Sequence, residues 1–124
     1  MPRALIGALT ALLVLLAPAP AAAHAVLMEA QPADGERLDQ PPTELRLRFN
    51  EPVMPVAVRL LDPDGTEVQG TAVAVQGPTL IVRPPGPLPQ GAYLLSYRVT
   101  SLDAHPVGAS LRFGVGVDPV LEAV

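Results

Sequence analysis

The stretch Glu44-Leu45-Arg46-Leu47-Arg48-Phe49 decides how this chain folds. Its apolar and charged side chains alternate, so Leu45, Leu47 and Phe49 fall on one side of an extended backbone. Such alternation predicts a β-strand with one face in a hydrophobic core and the other face in water. Turn-forming residues bound the stretch, with Pro41-Pro42 before it and Asn50-Glu51-Pro52 after it.

Short apolar segments between turn-forming residues also make up the rest of the chain. The sequence contains 16 prolines and 10 glycines, and no stretch keeps the 3.6-residue apolar period of a helix. Six further strands are predicted, at residues 25–28, 56–61, 71–75, 79–82, 92–100 and 108–115. Seven strands in a chain of this length predict an all-β fold, a seven-stranded immunoglobulin-like β-sandwich or barrel. We expect residues 24–116 to form this domain and residues 117–124 to form a C-terminal tail.

Tyr93 follows a proline-rich segment, residues 84–91, that lacks the backbone donors of a central strand and is predicted to be a crossover loop. The position of Tyr93 allows two interpretations. It is either a tyrosine corner, whose hydroxyl binds the backbone a few residues upstream, or an ordinary half-buried tyrosine.

The first 23 residues have the features of a secretory signal peptide. Arg3 supplies a short positive region, and residues 5–16 form an apolar segment too short to cross a bilayer about 30 Å thick as a helix. Small residues precede His24, as before a signal-peptidase site, and we predict cleavage after Ala23. An uncleaved membrane anchor is the alternative, but the length and the flanking charges disfavour it. Export without cysteines is compatible with the bacterial periplasm.

The charge and the lack of cysteine narrow the classes of function. A formal net charge of −4 argues against binding to nucleic acid or to an anionic membrane, and mildly favours a cation. Without cysteine the chain has neither a disulfide framework nor a thiolate metal site. Any metal would have to bind nitrogen and oxygen donors, and the only two histidines are His24 and His105.

Cleavage after Ala23 would make His24 the first residue, where its free α-amine and its ring Nδ1 can chelate one ion. His105 lies in Asp103-Ala104-His105-Pro106, and a residue before proline is biased toward extended conformation. Side chains two apart on an extended chain point to the same side. We therefore expect Asp103 and His105 to converge on one point, with His24 beside them.

This donor set, three nitrogens and one oxygen, favours Cu(II) in a tetragonal arrangement. Zn(II) also accepts histidine and carboxylate, usually as a tetrahedral set, and stays an alternative. Each motif alone has an ordinary explanation, since Asp103 can cap a turn and His105 can be a loop histidine. The hypothesis depends on their coincidence with a histidine at the predicted mature terminus.

Several segments of the chain resemble the CopC/PcoC family of periplasmic copper-binding proteins. They are His24-Ala25-Val26-Leu27 with Gln31-Pro32-Ala33-Asp34-Gly35, Arg48-Phe49-Asn50-Glu51-Pro52-Val53, Leu88-Pro89-Gln90-Gly91-Ala92-Tyr93, and the run from Tyr97 to Gly108. The resemblance covers nearly all of the chain after the signal peptide. The pairing of a terminal histidine with S-x-D-x-H-P-x-x-G is its most specific feature.

The resemblance implies a seven-stranded Greek-key β-barrel or sandwich, and a Cu(II) site made by His24, Asp103 and His105. It also implies that Glu51, which matches the acidic residue of an F-x-E motif, lies near the copper behind these ligands. An exposed glutamate at a strand end is the competing interpretation of Glu51. The family further implies a CopD-type inner-membrane protein as a partner, here as a separate chain.

Some members of this family carry a second site, for Cu(I), in a methionine-rich loop. Thioethers suit Cu(I), but after Ala23 the chain has only Met28 and Met54. We expect Met28 in the core and Met54 exposed beside Glu51. The sequence therefore predicts one Cu(II) site per chain and no thioether site.

The leading functional hypothesis is a non-enzymatic periplasmic Cu(II) carrier or buffer, in copper resistance or in copper import. The main rival is a histidine-brace copper oxygenase of the polysaccharide monooxygenase type. Against it, Asp103 would occupy a copper position, and an aromatic content of 3% without tryptophan offers no flat surface for sugar stacking. A plain β-sandwich module without metal is the third interpretation.

Overall fold

The computed structural model describes residues 24–119. The predicted signal peptide, residues 1–23, and residues 120–124 of the predicted tail lie outside the described residues. The described part of the chain contains strands and no helix, and thus no helix that is long and apolar enough to cross a membrane. The strands are β1 (Leu27–Gln31), β2 (Glu36–Leu38), β3 (Leu45–Phe49), β4 (Val53–Leu61), β5 (Ala72–Gln76), β6 (Thr79–Arg83), β7 (Gly91–Ser101) and β8 (Pro106–Val115).

The strands form two four-stranded sheets. The first sheet has the order β1-β3-β6-β5, and all of its pairs are antiparallel. The second has the order β2-β8-β7-β4, in which only β2 runs parallel to its neighbour β8. The inward faces of the two sheets share one hydrophobic core. This all-β sandwich confirms the predicted fold class.

The alternating stretch Leu45–Phe49 has the burial pattern that its sequence predicts. Leu45, Leu47 and Phe49 are buried, whereas Arg46 and Arg48 are exposed. Strand β7 repeats the pattern, because Tyr93, Leu95, Tyr97 and Val99 are buried and alternate with more exposed positions. Burial of alternate apolar side chains from both sheets is the main stabilising term of such a sandwich.

The predicted number of strands was wrong, because the structure describes eight rather than seven. Strand β2, which was missed, is only three residues long and reads Glu-Arg-Leu, too short to show any alternation. It exists because Leu38 pairs with Val115 and Glu36 with Phe113 on the parallel neighbour β8. This pairing joins positions far apart in sequence, so no local pattern could reveal it.

Tyr93 is a tyrosine corner. Its hydroxyl donates a 2.7 Å hydrogen bond to the backbone oxygen of Pro89, four residues upstream. Its ring stacks on Phe113 of β8, with ring centroids 5.6 Å apart. The bond ties the loop before β7 to the core, which decides between the two interpretations that the sequence allowed.

Strands β7 and β8 form a long antiparallel hairpin whose turn defines one end of the sandwich. The last residue pair of this hairpin joins Thr100 to Pro106. On the other side of β7, Ser101 pairs with Val53, the first residue of β4. The segment 102–105 therefore projects from this end of the second sheet.

Candidate metal centre

His24 is exposed at the start of the described chain, but the residues after it are held firmly. Ala25 is buried in the core with 3% of its surface exposed. The backbone N–H of Val26 donates to Oδ1 of Asn50 at 2.7 Å, and the N–H of Asn50 donates to the carbonyl of Val26 at 2.9 Å. These contacts anchor the chain directly after His24 to the segment that follows β3.

Asp103 and His105 lie in a tight turn rather than in an extended chain. The N–H of Ala104 donates to the carbonyl of Ser101 at 2.9 Å, and the N–H of Ser101 donates to the carbonyl of His105 at 3.3 Å. Ala104 has a φ of 65°, in the left-handed region that residues with a Cβ rarely adopt. The predicted extended conformation of this segment was wrong, because the turn closes back on Ser101 before the chain reaches Pro106.

The predicted convergence of Asp103 and His105 nevertheless occurs. Nδ1 of His105 lies 3.1 Å from Oδ2 of Asp103. The backbone N–H of His105 also approaches Oδ1 of the same carboxylate, at 3.5 Å. The turn therefore brings the side chains of Asp103 and His105 together, although the sequence-based prediction of their convergence assumed an extended backbone.

Ser101 is a residue of this site that the sequence analysis did not assign. It is the one buried polar residue of the described core, with 4% of its surface exposed, and its hydroxyl donates a short hydrogen bond to Oδ1 of Asp103. The bond from Ser101, followed by the one from His105, lowers the pKa of Asp103 from 3.8 to about 2. The serine at the head of S-x-D-x-H was the available signal, because a hydroxyl two residues before a carboxylate can reach it across a turn.

His24 meets this pair through its ring. The imidazoles of His24 and His105 have centroids 5.2 Å apart, with their planes tilted by 59°. His105 therefore contacts both other predicted ligands, His24 through its ring and Asp103 through its Nδ1. The three side chains gather at one end of the sandwich, although 79 residues separate Asp103 from His24 in sequence.

The three side chains do not form a preformed metal site. Within residues 24–119, no three His, Asp or Glu side chains stand as a ready-made metal-holding group. The contacts are pairwise, and the carboxylate and the imidazole of the turn are bonded to each other. A metal ion that binds both groups would have to replace the proton between Nδ1 of His105 and Oδ2 of Asp103.

The spacings fit such a replacement. Two donors at right angles, each about 2 Å from one ion, lie about 2.8 Å apart, close to the 3.1 Å between Nδ1 of His105 and Oδ2 of Asp103. Two imidazoles bound to one ion have ring centroids about 4.5–6 Å apart, and the observed separation of 5.2 Å falls within this range. The donor set therefore suits an ion that binds nitrogen and oxygen together.

Glu51 is not brought into contact with the three predicted ligands by any hydrogen bond or ion pair among residues 24–119. It is half-buried and lies between Asn50, which holds Val26, and Val53, which pairs with Ser101. It thus belongs to the same end of the sandwich. Its predicted place behind the copper ligands stays a prediction.

Both methionines of residues 24–119 are exposed. Met54 is 64% exposed, as predicted, but Met28 is 57% exposed, so the predicted core position of Met28 was wrong. Strand β1 lies at the edge of its sheet, and its side chains are mostly exposed on both faces, with only Ala30 partly buried. The apolar residues 25–28 therefore lead into an edge strand that is mostly exposed, and only Ala25 among them is buried.

The fold and this end of the molecule define a class: small two-sheet β-sandwiches with histidine and carboxylate donors gathered at one end. A family model described as the CopC domain matches residues 27–116. The chain is also 36% identical over 110 residues to a protein named copper resistance protein C from Xanthomonas campestris pv. juglandis, with 81% of this chain and 86% of that protein covered. The chain therefore belongs to the CopC family.

A further relative and two solved structures are also similar to this chain. A copper resistance protein C from Pseudomonas syringae pv. tomato is 31% identical, with 82% of this chain and 87% of that protein covered. Among solved structures, CopC from Methylosinus trichosporium OB3b is 30% identical, with a TM-score of 0.65 and coverage of 74% of this chain and 93% of that one. PcoC from Escherichia coli has the same TM-score at 23% identity, covering 75% and 99%, and shows the fold alone.

Proposed function

We propose that this protein binds one Cu(II) ion per chain in the periplasm and acts as a copper carrier or buffer. The observation that carries the proposal is the position of His105, which touches both the ring of His24 and the carboxylate of Asp103 at one end of a CopC-family fold. Two relatives are named copper resistance protein C. We propose that the protein serves copper resistance or copper import.

His24, Asp103 and His105 are the proposed ligands. The ring and the free α-amine of His24 would supply two nitrogens, and His105 a third. Asp103 would supply the oxygen, and the Ser101 hydrogen bond orients this carboxylate. A mixed nitrogen and oxygen set of this kind suits Cu(II) better than Cu(I).

Export is part of the proposal, because only cleavage after Ala23 frees the amine of His24. The proposed periplasmic location depends on the same cleavage. We further propose a CopD-type inner-membrane protein as the partner that receives or delivers the ion. The role is non-enzymatic, since holding and releasing the ion requires no reaction of a substrate.

The experiment that tests the proposal is a Cu(II) titration followed by electron paramagnetic resonance. The protein starting at His24 is compared with a variant that carries one additional glycine before His24. The extension keeps every side chain but moves the amine away from the ring, and we expect affinity to fall at least 100-fold, with a changed spectrum.

A His105→Ala variant with the native terminus serves as the reference for losing one imidazole. If the extended protein binds Cu(II) as tightly as the native one, the terminal amine is not a ligand. If neither protein takes up one equivalent of Cu(II), the proposed function is wrong.

A further inference from the structure

The outer face of the second sheet carries an isolated group of positive charges. Strands β4, β7 and β8 contain Arg59, Arg98 and Arg112, and none of the three strands contains aspartate or glutamate. Arg98 lies between the buried residues Tyr97 and Val99, and Arg59 precedes the buried Leu60, so both arginines point away from the core. The whole chain has a net charge of −4, so this positive charge is local.

The arginines of the other sheet are all neutralised within the chain. Arg46 and Arg83 approach Glu44 at 3.0 and 3.3 Å, and Arg48 approaches Glu29 at 3.4 Å. On the second sheet, Arg37 of β2 approaches Asp118 at 3.9 Å, but the arginines of the other three strands differ. Among residues 24–119, no carboxylate lies within 4.0 Å of the guanidinium of Arg59, Arg98 or Arg112.

Small residues leave room for a ligand between two of these arginines. Arg59 is opposite Ser96, and Arg98 is opposite Ala57, so the two arginines are diagonal neighbours on adjacent strands. Together with Gly108 they line a shallow cavity of 390 Å³. A Cβ at Gly108 would lie 3.8 Å from Nε of Arg98, which shows that the arginine side chain extends over this glycine. We call the surface formed by Ala57, Arg59, Ser96, Arg98 and Gly108 the arginine face.

We propose that the arginine face binds an acidic segment of a partner polypeptide in extended conformation. Diagonal neighbours in a sheet are about 7–8 Å apart, and alternate side chains of an extended chain are separated by about 7 Å. Carboxylates at positions i and i+2 of such a segment would therefore each meet one guanidinium. The planar fork of arginine binds a carboxylate through two parallel hydrogen bonds.

An extended acidic segment suits this face better than an anionic membrane does. A continuous negative surface would also meet the carboxylates that make the rest of the molecule acidic. A short segment contacts only the arginine face, and charges more than about 8–10 Å away are screened at physiological salt. A membrane surface extends far beyond this distance and would meet carboxylates outside the arginine face, whereas a short segment would not.

The position of the arginine face connects it to the candidate metal centre. The pair Arg98–Gly108 lies two residue pairs from Thr100–Pro106, where the hairpin ends in the turn that holds Asp103 and His105. A partner bound to the arginine face would lie beside this turn. Binding of the segment does not itself depend on copper, so the inference stands apart from the proposed function.

The test uses copper-free protein and a synthetic peptide, acetyl-(Glu-Ser)4-amide, with acetyl-(Lys-Ser)4-amide as the control peptide. Amide chemical shifts are followed by NMR at low salt. We expect shifts concentrated on β4, β7 and β8 with the acidic peptide, none on these three strands with the basic peptide, and an affinity for the acidic peptide that falls as salt is added. Vesicles containing phosphatidylglycerol are tested in parallel by sedimentation.

Two double variants of equal net charge separate the arginine face from general attraction. Arg59→Gln with Arg98→Gln should weaken binding of the acidic peptide at least tenfold, whereas Arg46→Gln with Arg48→Gln should change it less than twofold. All four side chains are exposed, and dispersed spectra verify that both variants fold. Equal losses in the two variants, shifts spread over both sheets, or binding to vesicles but not to the peptide would each overturn the proposal.

Discussion

Asn50 and Val26 exchange two hydrogen bonds, one through the amide side chain of Asn50 at 2.7 Å and one between their backbones at 2.9 Å. Val26 lies two residues after His24, and the buried Ala25 stands between them. Asn50 directly follows β3, far from the N-terminus in sequence. This exchange therefore determines where the predicted first residue of the exported protein leaves the sandwich.

The first prediction concerns Asn50. Asn50→Ala removes the acceptor for the Val26 N–H and should lower the free energy of unfolding by about 1 kcal/mol. Because His24 is then less firmly positioned, we expect Cu(II) affinity to fall about tenfold. Titration and urea denaturation measure the two effects. Asn50→Asp keeps the acceptor and should bind copper within threefold of the native protein. Native affinity in Asn50→Ala would mean that packing of Ala25 alone positions His24.

The second prediction concerns the hydroxyl behind the Asp103 carboxylate. Hydrogen bonds from Ser101 and His105 lower the pKa of Asp103 to about 2. In Ser101→Ala this pKa should rise toward its ordinary value of 3.8, as an NMR titration of the copper-free protein would measure. Ser110→Ala, at an exposed position of β8, is the control and should leave the pKa of Asp103 unchanged. A pKa that stays near 2 in Ser101→Ala would assign the effect to His105.

The same shift determines how Asp103 affects stability in acid. Its pKa is lower in the folded protein than the ordinary value, so the stabilisation is complete above pH 3.8 and is lost as the pH falls toward 2. Ser101→Ala should therefore lose less stability than the native protein over this interval. Acid titration of the unfolding free energy is the measurement, and equal losses in both proteins would contradict the assignment.

The third prediction concerns the tyrosine corner. Tyr93→Phe removes the hydrogen bond to Pro89 and should cost about 1–2 kcal/mol of unfolding free energy. Tyr97→Phe is the matched control, because the Tyr97 hydroxyl forms no hydrogen bond with another described residue, and its cost should be smaller. Equal costs for the two variants in urea denaturation would show that the corner bond does not stabilise the fold.

The raised pKa values of Tyr93 and Tyr97 also predict that the folded protein becomes less stable in alkali. Burial, and secondarily the charge of Asp62, raises the pKa of Tyr93, and burial followed by Asp34 raises that of Tyr97. The unfolded chain thus releases these protons at lower pH than the folded protein does, so stability is complete below pH 10 and falls as the pH rises above it. Tyr93→Phe should show a shallower decline than the native protein, measured by thermal melting between neutral and alkaline pH.

The fourth prediction is that copper binding weakens in acid. An α-amine has an ordinary pKa of about 7.7–8.0 and must lose its proton before it can bind a metal. Cu(II) affinity should therefore fall steadily below pH 8, and loading the protein should release protons into a weakly buffered solution. Asp103 stays ionised until far lower pH and does not contribute to this loss. Binding that is constant between pH 8 and pH 6 would exclude the amine.

The sequence by itself determined the class of the fold. Alternation within residues 44–49 and 92–100 is a local property, because side chains two apart on a strand face the same side whatever the partner strand is. It also singled out His24, Asp103 and His105, because the residue types of a metal site are visible without coordinates. The exposure of Met54 was also predicted, whereas Tyr93 was left between two interpretations that only the hydrogen bond to Pro89 decided.

The tertiary structure alone decided what depends on partners distant in sequence. Strand β2 forms only because β8 offers it an edge, and Met28 is exposed only because β1 lies at the edge of its sheet. The contact of His24 with His105, the hydrogen bonds between Asn50 and Val26, and the diagonal placement of Arg59 and Arg98 likewise depend on which strands become neighbours. Periodicity in the sequence specifies which face of a strand is buried, but only packing of the whole chain specifies what lies opposite that face.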